Sequence, residues 1–310
     1  MPELPDLTVY LEHLDTLVTG GRLLGVRLGS PFLLRSVEPP LATCFGARVL
    51  GFSRLGKRIV MELEGELFLV LHLMIAGRLR YREDANAPIP GKVGLCAFDI
   101  ERKDGARGTV LLTEASPKKR AALHLVRGRG ALALHDPGGL EVHAADAAAF
   151  RAALCAERHT LKRALTDPRT FAGIGNAYSD EILHRAGLSP VAMTTALDDH
   201  EHERLFAAAR AVLAEWTARL REAAKAQALP EKVSAFHDEM AVHGRAGKPC
   251  PVCQTQVQKI AHAANETNYC PTCQTGGRLL ADRALSRLLK EDWPRSVEEL
   301  EAMKRAHRAR

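Results

Sequence analysis

A nine-residue stretch near the middle of the chain joins a glycine-rich turn to the start of a helical segment: Gly173-Ile174-Gly175-Asn176-Ala177-Tyr178-Ser179-Asp180-Glu181. The two glycines predict a tight turn, because glycine adopts backbone conformations that other residues avoid. Apolar residues continue on one helical face as far as Ala186, and Gly187, followed by Pro190, predicts the end of the helix. Backbone amides at such a turn, together with the Asn176 side chain, can bind a phosphate.

The residues before this stretch predict an antiparallel sheet structure with one early helix. Short apolar segments alternate with polar residues and are separated by turns that contain glycine, which is the usual signal for hairpins. We expect a helix at Leu7–Val18, strands at Leu23–Leu28 and Val49–Phe52, a hairpin of Arg58–Leu63 and Leu67–Leu73, a loop over 82–92, and strands at Gly94–Ile100 and Thr109–Thr113.

The composition changes after the Pro137-Gly138-Gly139 turn. Residues 145–226 are rich in Ala, Leu, Glu and Arg, and their apolar positions follow helical spacing. Leu161, Ala164 and Leu165 share one face, and Leu205–Ala226 predicts a long amphipathic helix. The chain therefore combines a sheet-rich half with a helical half, and we assign it to the α+β class.

Length and composition exclude several classes of protein. The chain has 310 residues, of which 26% are charged, and no run approaches the roughly 18 apolar residues of a membrane helix. The N-terminus lacks the basic and apolar regions of a secretory signal, so we expect a cytoplasmic location. The net charge of +6 allows a polyanionic partner but does not establish one.

Four of the seven cysteines form two Cys-x-x-Cys pairs: Cys250, Cys253, Cys270 and Cys273. This spacing is typical of a zinc ribbon, in which two tight knuckles supply four thiolates to one tetrahedral ion. Four thiolates complete the coordination, so we predict one structural Zn²⁺ and no catalytic metal. His243 and His262 lie nearby and could replace a cysteine, but we expect them to be surface or outer-shell residues.

Three blocks of sequence resemble the formamidopyrimidine-DNA glycosylase and endonuclease VIII family of base-excision repair enzymes. They are the N-terminal Met1-Pro2-Glu3-Leu4-Pro5, the stretch 173–190, and the cysteine ribbon at 250–273. The resemblance implies three regions: a catalytic antiparallel β-sandwich with flanking helices (1–140), a helix–two-turn–helix DNA-binding domain (145–228) and a zinc-finger hairpin (236–274). We assign residues 275–310 to a basic helical extension beyond them. The resemblance also implies a monomer that binds damaged double-stranded DNA.

The N-terminus fits the chemistry that the resemblance implies. A lysine amine is only about 0.04% neutral at pH 7, whereas an α-amino group is about 10% neutral or more. If Met1 is removed, the secondary amine of Pro2 could attack the sugar C1′ and form an iminium directly. By resemblance, Glu3 is the acid–base residue next to this nucleophile, and Lys57 contacts the phosphate at the lesion.

The resemblance also assigns contacts to DNA. Lys162, Gly175 and Asn176 are expected to bind phosphates, and Met74 is expected to fill the gap that a flipped nucleotide leaves. The loop Ser116–Arg120 matches a family loop that carries an intercalating phenylalanine, which is absent here. Lys118 is our candidate for contact with the opposite strand, and Arg120 for cation stacking in place of the ring.

The chain also departs from the family pattern. Asn265 stands where the zinc hairpin usually carries an arginine, Asp6 replaces a glutamate, and residues 225–236 lack a glycine-rich loop. Residues 274–310 extend beyond the ribbon with nine Lys/Arg and six Asp/Glu, and predict helices at Ala281–Lys290 and Ser296–Arg308. This tail could hold DNA, dock on the enzyme or bind a partner.

These observations predict a bifunctional DNA glycosylase and abasic-site lyase that excises oxidised or ring-opened bases through a Pro2 Schiff base. Its substrate stays open among oxidised purines, oxidised pyrimidines, ring-opened adducts and crosslinks. One alternative is a lesion-binding protein on the same scaffold that has lost turnover. Another is a zinc-ribbon transcription factor, whose DNA binding would survive deletion of residues 1–140.

Overall fold

The computed structural model describes residues 1–231, 233–262, 265–281 and 294–308. The chain forms two compact units. The first unit contains Met1–Gly139 and Ala214–Ala235, and the second contains Leu140–Leu213 and Phe236–Arg310.

Two antiparallel four-stranded sheets form the first unit. One has the strand order β1-β6-β7-β5 and the other the order β2-β3-β4-β8. The strands are β1 (Arg22–Leu28), β2 (Val49–Leu55), β3 (Arg58–Leu63), β4 (Leu67–His72), β5 (Gly77–Arg82), β6 (Gly94–Glu101), β7 (Arg107–Glu114) and β8 (Ala122–Arg127). The hairpin predicted around residues 64–66 is present, with Leu63 directly opposite Leu67.

One hydrophobic core draws residues from both sheets. Leu69 and Leu71 of β4, Phe98 of β6 and Leu112 of β7 are among the buried residues of this cluster. Helix α1 (Leu4–Val18) contributes Leu7 and other residues to the same core. This packing produces the α+β architecture expected from the alternating segments.

Helix α1 begins three residues earlier than the apolar periodicity predicted. Pro5 lies in the first turn, where the N–H that proline lacks would have no partner within the helix. The Asp6 carboxylate accepts the Glu3 N–H at 2.9 Å and so caps the helix. Strands β5 and β8 were not predicted, because arginine and histidine interrupt their apolar pattern. In β5 the outward-facing Arg82 pairs with Glu231, far away in sequence.

The second unit is helical and carries the cysteine hairpin. Its helices are α3 (Ala147–Cys155), α4 (Leu161–Thr166) and α5 (Asn176–Ala186), while α2 (Arg129–Ala133) belongs to the first unit. Helix α6 (Asp199–Ala224) begins in the second unit and ends in the first. As predicted, α5 ends at Gly187, whose φ of +64° is a left-handed conformation that favours glycine.

Strands β9 (Gln258–His262) and β10 (Asn265–Tyr269) form the hairpin between the two cysteine pairs, and α7 (Pro271–Thr275) follows. The last described helix, α8 (Val297–Arg308), agrees with the predicted helix at Ser296–Arg308. The other predicted tail helix, Ala281–Lys290, lies outside the described residues except for Ala281. No helix in the described ranges has both the length and the apolar character needed to span a membrane.

Candidate functional site

The N-terminal groups of the first unit lie close to one another. Pro2 is buried, and Glu3 is 3% exposed at the start of α1. Burial lowers the pKa of the Met1 amine below its usual value. The Glu3 carboxylate opposes this shift, while Arg78 and Lys57 add to it. The structure therefore brings together the chain terminus and the predicted Glu3 and Lys57, and it adds Arg78, which the sequence reasoning missed.

Lys57 lies in the two-residue turn between β2 and β3. Gly56 has a φ of +56°, and its carbonyl oxygen accepts a hydrogen bond from Arg54 Nη1 at 2.6 Å. This turn places Lys57 beside the N-terminal groups, because its charge acts on the terminal amine.

The turn after β4 holds Met74 in a strained conformation. Met74 has a φ of +53°, which is uncommon for a residue with a side chain, and its N–H donates to His72 Nδ1 at 3.0 Å. Burial, helped by Arg58 and Lys57, lowers the pKa of His72 to about 4. His72 is therefore neutral at pH 7, with Nδ1 free to accept this hydrogen bond.

The exposed apolar side chain of this turn is Ile75, which is 64% exposed, whereas Met74 is only half-buried. Arg78 Nη1 donates to the carbonyl oxygens of Ile75, at 3.1 Å, and Gly77, at 2.6 Å. The prediction that Met74 is the inserted side chain stays a prediction. Its exposure makes Ile75 a second candidate, which the sequence reasoning passed over.

A buried glutamate anchors the loop that carries Lys118 and Arg120. The Glu114 carboxylate is 1% exposed and accepts the backbone N–H groups of Arg120, at 3.1 Å, and Ala121, at 3.0 Å. Lys119 Nζ donates to the Glu114 carbonyl oxygen. Lys118 and Arg120 remain exposed, so the loop presents the two predicted side chains on a fixed support.

In the second unit the predicted phosphate contacts are engaged with other protein groups. Lys162 Nζ donates to Asn176 O at 2.6 Å, Ser179 Oγ at 2.9 Å and Asp180 Oδ1 at 2.5 Å. An ammonium has only three N–H donors, so none is left for a phosphate in this structure. In this structure Lys162 supports the turn at 175–179, and its predicted contact with a phosphate stays a prediction.

Asn176 and Gly175 begin α5. Gly175 is the N-cap, and Asn176 Nδ2 donates to the Glu266 carbonyl oxygen of β10 at 2.8 Å. The Asn176 side chain therefore links the turn to the zinc hairpin. Backbone amides at the N-terminus of a helix such as α5 are candidate phosphate donors.

Two carboxylates of α5 bind segments far along the chain. Asp180 is 0% exposed and accepts from His243 Nδ1 at 2.8 Å, in addition to Lys162. Glu181 accepts the backbone N–H groups of Ala241, Val242 and His243 at 2.7–2.9 Å. The sequence signal for this network was the pair of adjacent acids at 180–181, but their partners could not be identified from sequence.

The four cysteines converge as predicted. Their sulfur atoms all lie within 4.8 Å of one another, with Cys250 and Cys273 3.9 Å apart and Cys253 and Cys270 3.3 Å apart. Tetrahedral zinc–thiolate bonds of about 2.3 Å require sulfur separations of about 3.8 Å, so the cluster fits Zn²⁺. The chain therefore has a structural zinc site.

Two histidines lie near the ribbon in sequence, and the structure describes the side chain of His243 but not that of His262. His243 is bound to Asp180 and is not part of the cluster, while the side chain of His262 lies outside the described residues. A third histidine, His184 of α5, places Nε2 3.3 Å from Cys250 Sγ. An N–H···S bond there would orient the thiolate and connect the zinc site to the helix.

Antiparallel sheets, a turn that opens a helix and a four-thiolate hairpin together define a zinc-finger protein of the α+β class. Three family models match the chain: the formamidopyrimidine-DNA glycosylase N-terminal domain (residues 1–174), the H2TH domain of that family (137–227) and the zinc finger found in FPG and IleRS (247–276).

Individual relatives agree with these matches. The formamidopyrimidine-DNA glycosylase of Variovorax paradoxus is 32% identical over 88% of this chain and all of its own length. The crystal structure of the MutM (Fpg) protein from Thermus thermophilus is 32% identical, with a TM-score of 0.72 over 88% of this chain and 98% of its own. The complex between Lactococcus lactis Fpg and DNA containing an abasic site shares the fold, with a TM-score of 0.76 at 23% identity over 88% of this chain and 99% of its own. This chain belongs to the formamidopyrimidine-DNA glycosylase family.

Proposed function

We propose that this protein is a bifunctional DNA glycosylase and abasic-site lyase of base excision repair. It excises oxidised or ring-opened bases from duplex DNA in the cytoplasm and acts as a monomer. The observation that carries the proposal is the burial of Pro2 and Glu3 at the start of α1. Family membership supports the same activity.

The buried position of this end of the chain supports nucleophilic catalysis, because burial disfavours the protonated form of an amine. After removal of Met1, the Pro2 nitrogen attacks C1′ of the damaged nucleotide, the glycosidic bond breaks, and the base leaves with its electron pair. The nitrogen then loses its proton and forms an iminium with C1′ as the C1′–O4′ bond of the sugar ring breaks, and loss of a C2′ proton starts the elimination. Glu3 protonates the sugar ring oxygen and later transfers protons during elimination.

Lys57 binds the phosphate beside the lesion, since the β2–β3 turn places its ammonium near the N-terminal groups. Either Met74 or Ile75 fills the space that the flipped nucleotide leaves. Lys118 and Arg120 contact the opposite strand from the loop that Glu114 anchors. The backbone amides after Gly175 bind a further phosphate, with Lys162 and Asn176 holding that turn in place.

The test is borohydride trapping on a panel of duplexes that carry single oxidised bases, ring-opened bases or an abasic site. We expect a covalent complex with the wild type and none with Pro2→Gly. Pro40→Gly is the matched control, because Pro40 is exposed and lies in another segment. Mass spectrometry of the trapped complex should locate the adduct on a peptide that starts at Pro2.

A lesion-binding protein without turnover is the competing function. The pairing of Lys259 Nζ with Glu266 Oε2 at 3.3 Å favours it, because it reduces the positive charge that the zinc hairpin offers to DNA. Tight binding to lesions without trapping on any substrate would select this alternative and reject the lyase.

A further inference from the structure

A group of basic side chains lies on the face of the second sheet that points away from the main core. Arg58 is directly opposite His72, Val60 is opposite Val70, and Val70 is opposite His124. Side chains alternate between the two faces of a strand, so these five residues share one face. Val60 and Val70 belong to a small apolar cluster separate from the main core, which identifies this face as the outer one.

Arg35 and His135 complete the group. Leu34 pairs with Leu123 in a parallel bridge, and the Arg35 N–H donates to the Leu123 carbonyl oxygen at 2.8 Å. Arg35 therefore follows the edge of β8 beside His124. The His135 ring, just after α2, lies 4.6 Å from the His124 ring between centroids, at an angle of 59°.

This group has an excess of positive charge. Burial lowers the pKa of His124, and the charges that lower it further are those of His135, Arg58 and Arg35. Burial and Arg58 lower the pKa of His135 in the same way. The guanidinium charges of Arg58 and Arg35 lower the pKa of these rings, and their positive charge favours an anion over a metal cation.

We propose that Arg35, Arg58, His124 and His135 form a binding site for a backbone phosphate of the DNA duplex, outside the site that holds the lesion. Guanidinium groups bind phosphate through two parallel N–H···O bonds, and imidazole N–H groups add single bonds. Arg58 directly follows Lys57 in the chain, so the positive charge of the cluster adjoins that of the candidate catalytic groups. The proposal rests on the proposed function, because it assumes that DNA is the ligand.

The test measures how DNA affinity depends on salt. Fluorescence anisotropy is recorded with a short and a long duplex that share one central abasic-site analogue. For the double variant Arg35→Gln/His124→Gln we expect about tenfold weaker binding of the long duplex at low salt, and a log–log salt slope reduced by about 0.9. A duplex shortened until it no longer reaches the cluster should bind the double variant as it binds the wild type.

Arg127→Gln is the matched control, because Arg127 is an exposed arginine at the opposite end of β8. The single variant Arg35→Lys should keep the salt slope of the wild type, since lysine keeps the positive charge of arginine. Equal thermal midpoints would exclude misfolding as the cause. A slope unchanged from the wild type in the folded double variant would overturn the proposal.

Two further outcomes distinguish a DNA phosphate from a free anion, and the phosphate-site proposal from the lyase proposal. If inorganic phosphate at constant ionic strength shifts the His124 NMR resonances and the long duplex does not, the site takes a free anion and the DNA assignment is overturned. If no lesion gives a covalent complex but the double variant still loses salt slope, the lyase fails and the phosphate site is supported.

Discussion

Replacement of Lys162 by methionine separates a positioning role from a phosphate contact. The Lys162 side chain is 12% exposed and Asp180 is fully buried, so Lys162→Met leaves a carboxylate buried without its main counter-charge. Loss of one partner from a buried ion pair costs about 3–5 kcal/mol. Asp180 keeps hydrogen bonds from His243 and Asn268, so we expect the lower end, about 3 kcal/mol.

Calorimetry should detect this loss as a fall of about 6–12 °C in the midpoint of the second unit. Hydrogen exchange should show faster exchange along α5, because Lys162 also holds the Asn176 carbonyl oxygen. The salt slope of DNA binding should stay as in the wild type, since no Lys162 N–H faces a phosphate.

Arg163→Met is the matched control, because Arg163 is the next residue of α4 and is exposed. The double variant Lys162→Met/Asp180→Asn should recover part of the stability, because both buried charges are then absent. A Lys162→Met protein with the midpoint of the wild type and a salt slope reduced by about 0.9 would refute the positioning role.

Three other perturbations test separate parts of the structure. Glu114→Ala leaves the buried N–H groups of Arg120 and Ala121 without their acceptor, so the loop should loosen and trypsin should cleave after Lys118 several times faster; equal cleavage rates would contradict the anchor. Cys250→Ser should reduce bound zinc, measured by elemental analysis, from one per chain, and a full complement of zinc would contradict the ligand assignment. The pKa of His72 is about 4 in the folded chain, against 6.5 for an ordinary histidine. Because the folded chain favours the neutral ring, the free energy of unfolding should fall by about 3 kcal/mol as the pH falls from 6.5 towards 4. His72→Gln should flatten the stability curve in that window, and a curve that keeps its slope would contradict the assignment.

The sequence was informative where local signals decide the structure. The β3–β4 hairpin follows from the two apolar segments on either side of the Glu64-Gly65-Glu66 turn, and the zinc site follows from cysteine spacing. The end of α5 follows from Gly187, because only a residue tolerant of positive φ fits there. In each case the residues that specify the feature lie within a few positions of it.

Features that depend on distant partners could not be predicted from local sequence signals. Strand β5 alternates arginine with apolar residues, and its Arg82 has a partner, Glu231, that lies 149 positions away. Lys162 has the sequence context of a phosphate contact, and only the position of Asp180 identifies it as an internal ion pair. Charge along a sequence does not reveal whether a neighbour in space already neutralises it.

The carboxylates of α5 have a consequence for the synthesis of the chain. Glu181 and Asp180 take their partners from residues 241–243 and 268, which are translated some sixty to ninety residues later. Until those residues leave the ribosome, Glu181 lacks its backbone donors and Asp180 has Lys162 but neither His243 nor Asn268. A nascent chain that stops before the ribbon therefore contains α5 without these partners, and proteases that degrade unfinished chains can recognise it there.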